Sequence, residues 1–258
     1  RAGDHGSQGF TRSAGKEAAM KARERLLLAE HAHHLLRLAR AGERVFREHT
    51  DYVHGARLLL ELAAEHGIAI HAWCLLPDRL HVLATPPARA RDLSVFMKAL
   101  SCRLALRHRE RYRAPSPWRR RYHASPVEPG QWVLATMCFI ERLPIEHGLA
   151  VAAYHYPHSS YRTRLGKTDH YTLHDPPEYG RLGDTIEERA AAYRRYLKEG
   201  QDHREARAIA TAVRRNRLTG SPRFVKEVYL RYGVLYINRG PGRPRKRRRL
   251  TPRHGNPG

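Results

Sequence analysis

Two mostly apolar runs separated by only two residues constrain the fold of this chain more than any other feature. The runs cover residues 68–76 and 79–84, and the dipeptide between them, Pro77-Asp78, is typical of a turn. Because so short a connection joins antiparallel strands, the sequence predicts a β-hairpin here. An antiparallel sheet is therefore expected near the centre of the fold.

Helical patterns and further extended segments surround this hairpin. The predicted elements, in chain order, are a strand at 33–38, a helix from a Thr50-Asp51 cap to Gly67, the two hairpin strands, a helix at 92–112, a strand within 118–127, and a helix that Pro129 opens, that runs through Ile140 and that stops at Pro144. This βαββαβα order predicts an α+β fold, with a ferredoxin-like antiparallel sheet and helices on one of its faces.

Composition divides the chain into segments. We expect a flexible N-terminal segment at 1–30, the α+β core at 31–166, a linker at 167–183, a helical extension at 184–233 and a disordered basic tail at 234–258. Helical patterns within the extension occur near 184–198, 203–215 and 221–232. The last two have the proportions of a helix-turn-helix, and Ser221-Pro222 is predicted to begin the second of them.

Two features of the composition bear on where the protein works. No stretch approaches the roughly 18 consecutive apolar residues that a membrane-spanning helix needs, so a membrane protein is not expected. The three cysteines, Cys74, Cys102 and Cys138, are widely spaced and form no CxxC pair, which argues against a disulfide framework and against structural zinc. A reducing cytoplasm is the expected compartment.

Net charge indicates the class of partner. The chain carries 48 Lys+Arg against 25 Asp+Glu, for a formal charge of +23 and a pI near 10.7. Residues 239–258 hold eight basic and no acidic side chains, which leaves +15 on the rest of the chain. The body of the protein is therefore basic as well as its tail, and such a surface attracts polyanions. Charge alone does not separate DNA from RNA.

Several stretches of the sequence carry a resemblance to a known family. They are IAIHAWCLLPDRLHVLATP, RRYHASPVEPGQWVLATMCFIERLPIEHGL, HSSYRTRLG and LTGSPRFVKEVYLRYG, the last followed by GRPRK. Together they resemble the single-tyrosine HUH transposases, in particular the REP-associated tyrosine transposases, over about residues 31–232. The resemblance implies cleavage and joining of DNA strands, with single-stranded or hairpin DNA as the partner and a homodimer as one assembly.

The resemblance also implies a site. In that family the hairpin reads Pro-Asn-His-x-His, and its two histidines bind a divalent metal, magnesium or manganese. A later helix reads Tyr-Ile-x-x-Asn-Pro-Val-x-x-Gly, and its tyrosine attacks a DNA phosphate. Carried over residue by residue, the metal positions fall on Arg79 and His81, which share one face of a strand. The nucleophile falls on Phe139 and the asparagine on Leu143, which share one face of a helix.

These substitutions remove the family's chemistry at three of the four positions. Phenylalanine has no hydroxyl, leucine offers no lone pair, and a charged arginine repels a divalent cation. We therefore expect no catalytic residue and no cofactor, with His81 as the one remaining metal position. Arg79 is predicted either to hold a DNA phosphate or to form a salt bridge with Asp78 or another acidic residue.

Basic residues of the C-terminal part supply further candidate DNA contacts. The candidates in the helix-turn-helix pattern are Arg214, Arg215, Arg217, Arg223 and Lys226. The candidates in the tail are Arg243, Arg245 and Lys246. The tail contains Gly-Arg-Pro-Arg, a sequence similar to an AT-hook, in which Arg-Pro-Arg lies in the minor groove of A·T-rich DNA. A solvated helical face and a solubilising tail are the alternatives.

The leading hypothesis is a catalytically inactive DNA-binding protein that binds hairpin or single-stranded ends of repeats. Two alternatives stay open. One is an active transposase with a displaced nucleophile, for which Tyr122, Tyr154 and Tyr161 are candidates, although structural roles suit them better. The other is an RNA-binding or nucleoid-associated protein.

Overall fold

A four-stranded antiparallel sheet forms the centre of the computed structural model, which describes residues 25–119, 121–167 and 171–233. Its strands are β1 (His33–Leu38), β2 (Ala69–Leu76), β3 (Arg79–Thr85) and β4 (His123–Pro126). They lie in the order β2-β3-β1-β4, and every neighbouring pair is antiparallel. The predicted hairpin is β2-β3, so the predicted α+β class with an antiparallel sheet is confirmed.

Helices make up most of the remaining secondary structure. They are α1 (His49–Glu65), α2 (Asp92–Tyr112), α3 (Gln131–Glu146), a 3₁₀ turn (Ala153–His155), α4 (Tyr161–Arg164), α5 (Pro177–Gly180), α6 (Ile186–Glu199), α7 (His203–Arg214) and α8 (Pro222–Tyr232). Among the residues that the structure describes, no helix has both the length and the apolar character needed to span a membrane.

Helices cover both faces of the sheet, which corrects the prediction of helices on one face. On the first face, Trp73 and Val82 pack with apolar residues of α1 and α2. On the second face, Cys74 and Leu83 pack with apolar residues of α3 and α6. The reason lies in β2, in which every residue after Ala69 is buried, so that neither of its faces presents side chains to water.

α3 continues past Pro144, where the sequence predicted that it would stop. The helix follows Gly130 and runs to Glu146. Pro144 removes one backbone hydrogen bond because it has no N–H, but the His147 N–H still donates to the Leu143 carbonyl at 2.9 Å, so the final turn survives. The Pro144 carbonyl accepts a hydrogen bond from the backbone N–H of Leu149 at 2.8 Å, and Gly148 turns the chain with a φ of 65°.

α1 begins earlier than the predicted Thr50-Asp51 cap. Its N-cap residue is Glu48, and Asp51 lies in the first turn. The Asp51 carboxylate accepts hydrogen bonds from the backbone N–H groups of Arg47, at 3.0 Å, and of Glu48, at 3.2 Å. Asp51 is therefore not the N-cap residue. From the first turn, its side chain bonds to the backbone N–H groups of the two residues before the helix, as the third residue of a capping box does.

The C-terminal helices pack onto the sheet and α3. Tyr193 and Leu197 of α6 are buried in the same apolar cluster as α3. In the turn between α7 and α8, Asn216 Oδ1 accepts from the backbone N–H of Ala124 in β4 at 3.0 Å. Ser221 caps α8 by accepting a backbone N–H of its first turn, as predicted. The turn of the predicted helix-turn-helix is thus bonded to the edge strand of the core.

Candidate nucleic-acid interface

Two buried histidines form the floor of the candidate site. His34 on β1 and His81 on β3 lie on neighbouring strands, and Nε2 of His34 is 2.8 Å from Nδ1 of His81, a hydrogen bond in which one ring donates to the other. Burial lowers the pKa of His34 to about 3 and holds the pKa of His81 well below its usual value. Both rings are therefore neutral near pH 7.

Phe139 lies against this pair. The centre of its ring is 5.7 Å from that of His34 and 6.2 Å from that of His81, and both contacts are edge-on. Arg79, His81, Phe139 and Leu143 line one cavity of about 450 Å³, which we call the Phe139 cavity. The four positions that the resemblance assigns to the site therefore border one cavity.

α7 supplies a further wall of the Phe139 cavity. Arg207 and Arg214 on α7 line it together with Arg142 on α3, and the carboxylates at its edge are those of Glu146 and Glu199. Within the described part of the chain, no residue that lines this cavity is a tyrosine. The cavity therefore presents an aromatic ring and guanidinium groups, but no phenolic hydroxyl.

Arg79 forms the salt bridge that was one of its two predicted roles. Its guanidinium donates two hydrogen bonds to the Asp78 carboxylate, at 2.8 and 2.6 Å. These bonds hold the pKa of Asp78 below its usual value. The Arg79 side chain also borders open space on two sides, so a phosphate contact by the same residue stays a prediction.

A second cavity of about 440 Å³ lies beside the hairpin turn, and we call it the arginine cavity. Its arginines are Arg40, Arg44, Arg79, Arg119 and Arg214. The acidic residues at its edge, Asp78 and Glu43, already pair with arginines. Two of the arginines, at positions 79 and 214, also line the Phe139 cavity, so the two cavities adjoin. Sequence reasoning missed positions 40, 44 and 119, because these loop residues are brought together only by the fold.

The donors at the site do not fit the divalent metal that the resemblance implies. Nδ1 of His81 is bonded to His34, and its Nε2 is buried without a hydrogen-bond partner among the described residues. Nowhere in the described ranges do three His, Cys, Asp or Glu side chains form a group that could hold a metal ion. One histidine nitrogen beside the Arg79 guanidinium lacks the oxygen ligands and the negative charge that magnesium and manganese prefer.

Comparisons with known proteins add similarities of structure. No profile of a protein family matches the chain, and no curated protein matches it. The chain is similar to solved structures. One, described as a REP-associated tyrosine transposase bound to a REP hairpin, has a TM-score of 0.48 and 15% identity, over 60% of this chain and 94% of that one. Another, described as a proposed transposase from Deinococcus radiodurans R1, has a TM-score of 0.34 and 20% identity, over 50% of this chain and 98% of that one.

The three tyrosines that could replace a nucleophile do not line the Phe139 cavity. Tyr122 is buried, and its hydroxyl lies 3.0 Å from Oγ of Ser94. Tyr154 and Tyr161 line a different cavity, which shares Arg142 with the Phe139 cavity. A displaced nucleophile at any of these positions would therefore work away from His81 and Phe139.

The predicted basic residues of the helix-turn-helix segment lie in different surroundings. Arg214 lines both the Phe139 cavity and the arginine cavity. Arg223 is exposed and pairs with Glu227 at 2.8 Å. Arg215 and Lys226 are exposed, and Arg217 is half-buried. The tail candidates Arg243, Arg245 and Lys246 lie outside the described residues.

Proposed function

We propose that this protein binds DNA at hairpin or single-stranded ends and does not cleave it. The observation that carries the proposal is the position of Phe139, which lies beside the buried pair of His34 and His81 in a cavity walled partly by arginines. An aromatic ring and guanidinium groups suit the bases and phosphates of a nucleic acid. Neither group supplies a nucleophile.

The arginine cavity supports the first part of the proposal, that the protein binds DNA. A guanidinium presents a planar fork of donors that matches phosphate oxygens. Within the described chain, Arg44, Arg119 and Arg214 form no ion pair with a carboxylate, so their charges are available to a ligand. This cavity adjoins the Phe139 cavity. Phosphates held in the arginine cavity would therefore leave their bases near the Phe139 ring.

The chemistry of the Phe139 cavity supports the second part of the proposal, that the protein does not cleave DNA. Transfer of a DNA strand to a tyrosine needs a phenolic oxygen that attacks phosphorus and a cation that withdraws charge from the phosphate. Phe139 has no such oxygen. The described residues around His81 supply no set of metal ligands. We infer a protein that keeps the fold and the DNA contacts without the reaction.

Binding is tested by titrating the full chain against a DNA hairpin, an unstructured strand of the same composition and a duplex, followed by fluorescence anisotropy. We expect the hairpin or the single strand to bind more tightly than the duplex. The logarithm of affinity should fall by about 0.7–0.9 for each phosphate contact per tenfold rise in salt. Equal affinity for all three DNAs, or none at moderate salt, would contradict the proposal. Tighter binding to the matching RNA hairpin would favour an RNA-binding protein.

Inactivity is tested separately, by incubating the protein with labelled DNA and magnesium or manganese and then running a denaturing gel. We expect neither shortened strands nor a band of protein joined to DNA. A covalent adduct would establish the alternative, an active transposase with a displaced nucleophile. Mass spectrometry of the adduct would then identify the tyrosine that forms it.

A further inference from the structure

A third cavity, of about 680 Å³, borders α3 at Arg142 and Ile145. Its walls come from the C-terminal half of α3, the 3₁₀ turn, α4 and α6. Arg142 lines both this cavity and the Phe139 cavity. We call it the lysine cavity, because Lys167 and Lys198 are two of the only seven lysines in the chain and both line it.

The lysine cavity is strongly cationic. Its charged side chains are Arg142, Lys167, Arg194 and Lys198, and no aspartate or glutamate is among the described residues that line it. Arg142 is already engaged, since it donates to the Leu197 carbonyl at 2.9 Å. The other three cations are exposed and form no ion pair with a described carboxylate. These charges therefore favour an anionic ligand.

The floor and rim of the lysine cavity are apolar. Ala153 and Leu165 are buried in its floor, and Val151 is exposed at its edge. Tyr154 lines the same cavity and is 41% exposed, so part of this aromatic residue is open to a ligand. The guanidinium of Arg162 lies 5.4 Å from the centre of that ring and helps to hold it in place. One aromatic face is therefore presented beside a group of cations.

We propose that the lysine cavity takes an unpaired nucleotide of a bound DNA strand, an inference that rests on the proposed function. The base lies against the Tyr154 ring and the apolar floor, and its phosphate lies among Lys167, Arg194 and Lys198. A base with its phosphate is flat and apolar on one side and anionic on the other, which matches this cavity in both respects.

Shared arginines give the strand a route to this cavity. Arg79 and Arg214 join the arginine cavity to the Phe139 cavity, and Arg142 joins the Phe139 cavity to the lysine cavity. Phosphates that follow these residues pass from the hairpin turn, across α3, to Lys167 and Lys198. The stem of a DNA hairpin would thus lie near the arginine cavity, and a single-stranded extension of that hairpin would reach the lysine cavity.

The test compares two DNAs, a blunt hairpin and the same hairpin with a single-stranded extension. The double variant Lys167→Ala/Lys198→Ala should weaken binding of the extended hairpin about tenfold or more and leave the blunt hairpin within about twofold. Lys98→Ala is the matched control, because Lys98 is exposed on α2, which covers the opposite face of the sheet. An equal loss for both DNAs, or a loss no larger than that of Lys98→Ala, would overturn the inference.

A second pair of variants tests the base rather than the phosphate. Tyr154→Ala should weaken binding of the extended hairpin about tenfold, whereas Tyr154→Phe, which keeps the ring, should bind as the wild type does. With an abasic extension, Tyr154→Ala and wild type should bind alike. If Tyr154→Ala had the same effect on the abasic DNA, no base would stack there. If the wild-type protein bound neither hairpin, the proposed function itself would fail, whereas normal binding by all variants would remove this inference alone.

Discussion

Nε2 of His34 and Nδ1 of His81 lie 2.8 Å apart, so two imidazoles from neighbouring strands share one hydrogen bond. Burial keeps both rings neutral, because the pKa of each is lowered far below its usual value. The bond uses the His81 nitrogen that faces β1, and Phe139 packs edge-on against both rings. His81, which lines the Phe139 cavity, thus belongs to a neutral polar pair with His34, and this pair carries no charge that would attract a cation.

Phe139→Tyr should not create a DNA-cleaving enzyme. The substitution adds a hydroxyl beside the histidine pair, but the described residues still lack a set of metal ligands. We expect no covalent adduct on a denaturing gel with magnesium or manganese, and DNA affinity within about twofold of wild type. An adduct formed by this variant and not by the wild type would show that the loss of the hydroxyl alone had silenced the site.

Arg214→Ala should reduce the salt dependence of DNA binding. Arg214 lines both the Phe139 cavity and the arginine cavity, and the loss of one phosphate contact lowers the slope of log affinity against log salt by about 0.7–0.9. Lys98→Ala is the control, because Lys98 is exposed on α2, lines neither cavity and is not a candidate DNA contact. Similar slopes for the two variants would mean that the cavities do not hold phosphates.

Deletion of residues 239–258 should weaken binding to every DNA sequence and also lower the salt slope. The deletion removes eight basic side chains, whereas +15 of the charge belongs to the rest of the chain. Because the tail is expected to act through charge, a preference for hairpin DNA should persist in the shortened protein. Anisotropy titrations with hairpin and unstructured strands measure both quantities. Loss of the preference would assign recognition to the tail.

His33→Gln should make the stability of the protein less sensitive to acid. Burial lowers the pKa of His33 to about 4, and its ring accepts from the Leu28 N–H at 3.0 Å through Nε2, a bond that protonation would break. Between pH 6.5 and about 4 the unfolded state therefore binds the extra proton, so stability falls as pH falls, by about 1.4 kcal/mol per pH unit for this residue.

Urea unfolding followed by tryptophan fluorescence at several pH values between 7 and about 4.5 measures this effect. The variant should lose less stability per pH unit than the wild type, whatever its stability at pH 7. The exposed His155, changed to glutamine, serves as the control and should keep the wild-type slope. An unchanged slope in His33→Gln would mean that His33 is not held neutral in the folded protein.

Tyr193→Phe should destabilise the docking of α6. The Tyr193 hydroxyl donates to Oε2 of Glu141 at 2.8 Å, and Glu141 is fully buried. Burial raises the pKa of Glu141, and the loss of a donor leaves a buried oxygen unsatisfied, at a cost of about 1–3 kcal/mol. Tyr196→Phe, on the same helix and half-buried, should cost less than about 0.5 kcal/mol in the same urea experiment. Equal costs would remove the role assigned to the hydrogen bond.

Local patterns in the sequence were sufficient for most of the secondary structure. The predicted strand 33–38 and helix 92–112 have the bounds of β1 and α2, because a short extended run and helical spacing are properties of neighbouring residues. The predicted end of α3 was wrong. Pro144 removes one backbone hydrogen bond, but the hydrogen bonds beyond it hold the last turn of the helix. The prediction of helices on one face was also wrong, although the unbroken apolar run of β2 was a sign that both faces are covered.

The sequence by itself determined the types of side chain at the site and the elements that carry them, including Arg79, His81, Phe139 and Leu143. Only the tertiary structure decided their neighbours. His34 and His81 are 47 residues apart and meet because β1 lies beside β3 in the sheet. The arginine cavity and the lysine cavity likewise form where separate loops and helices pack together. Periodicity reports which face of an element is buried, whereas the order of strands and the packing of helices depend on the free energy of the whole chain.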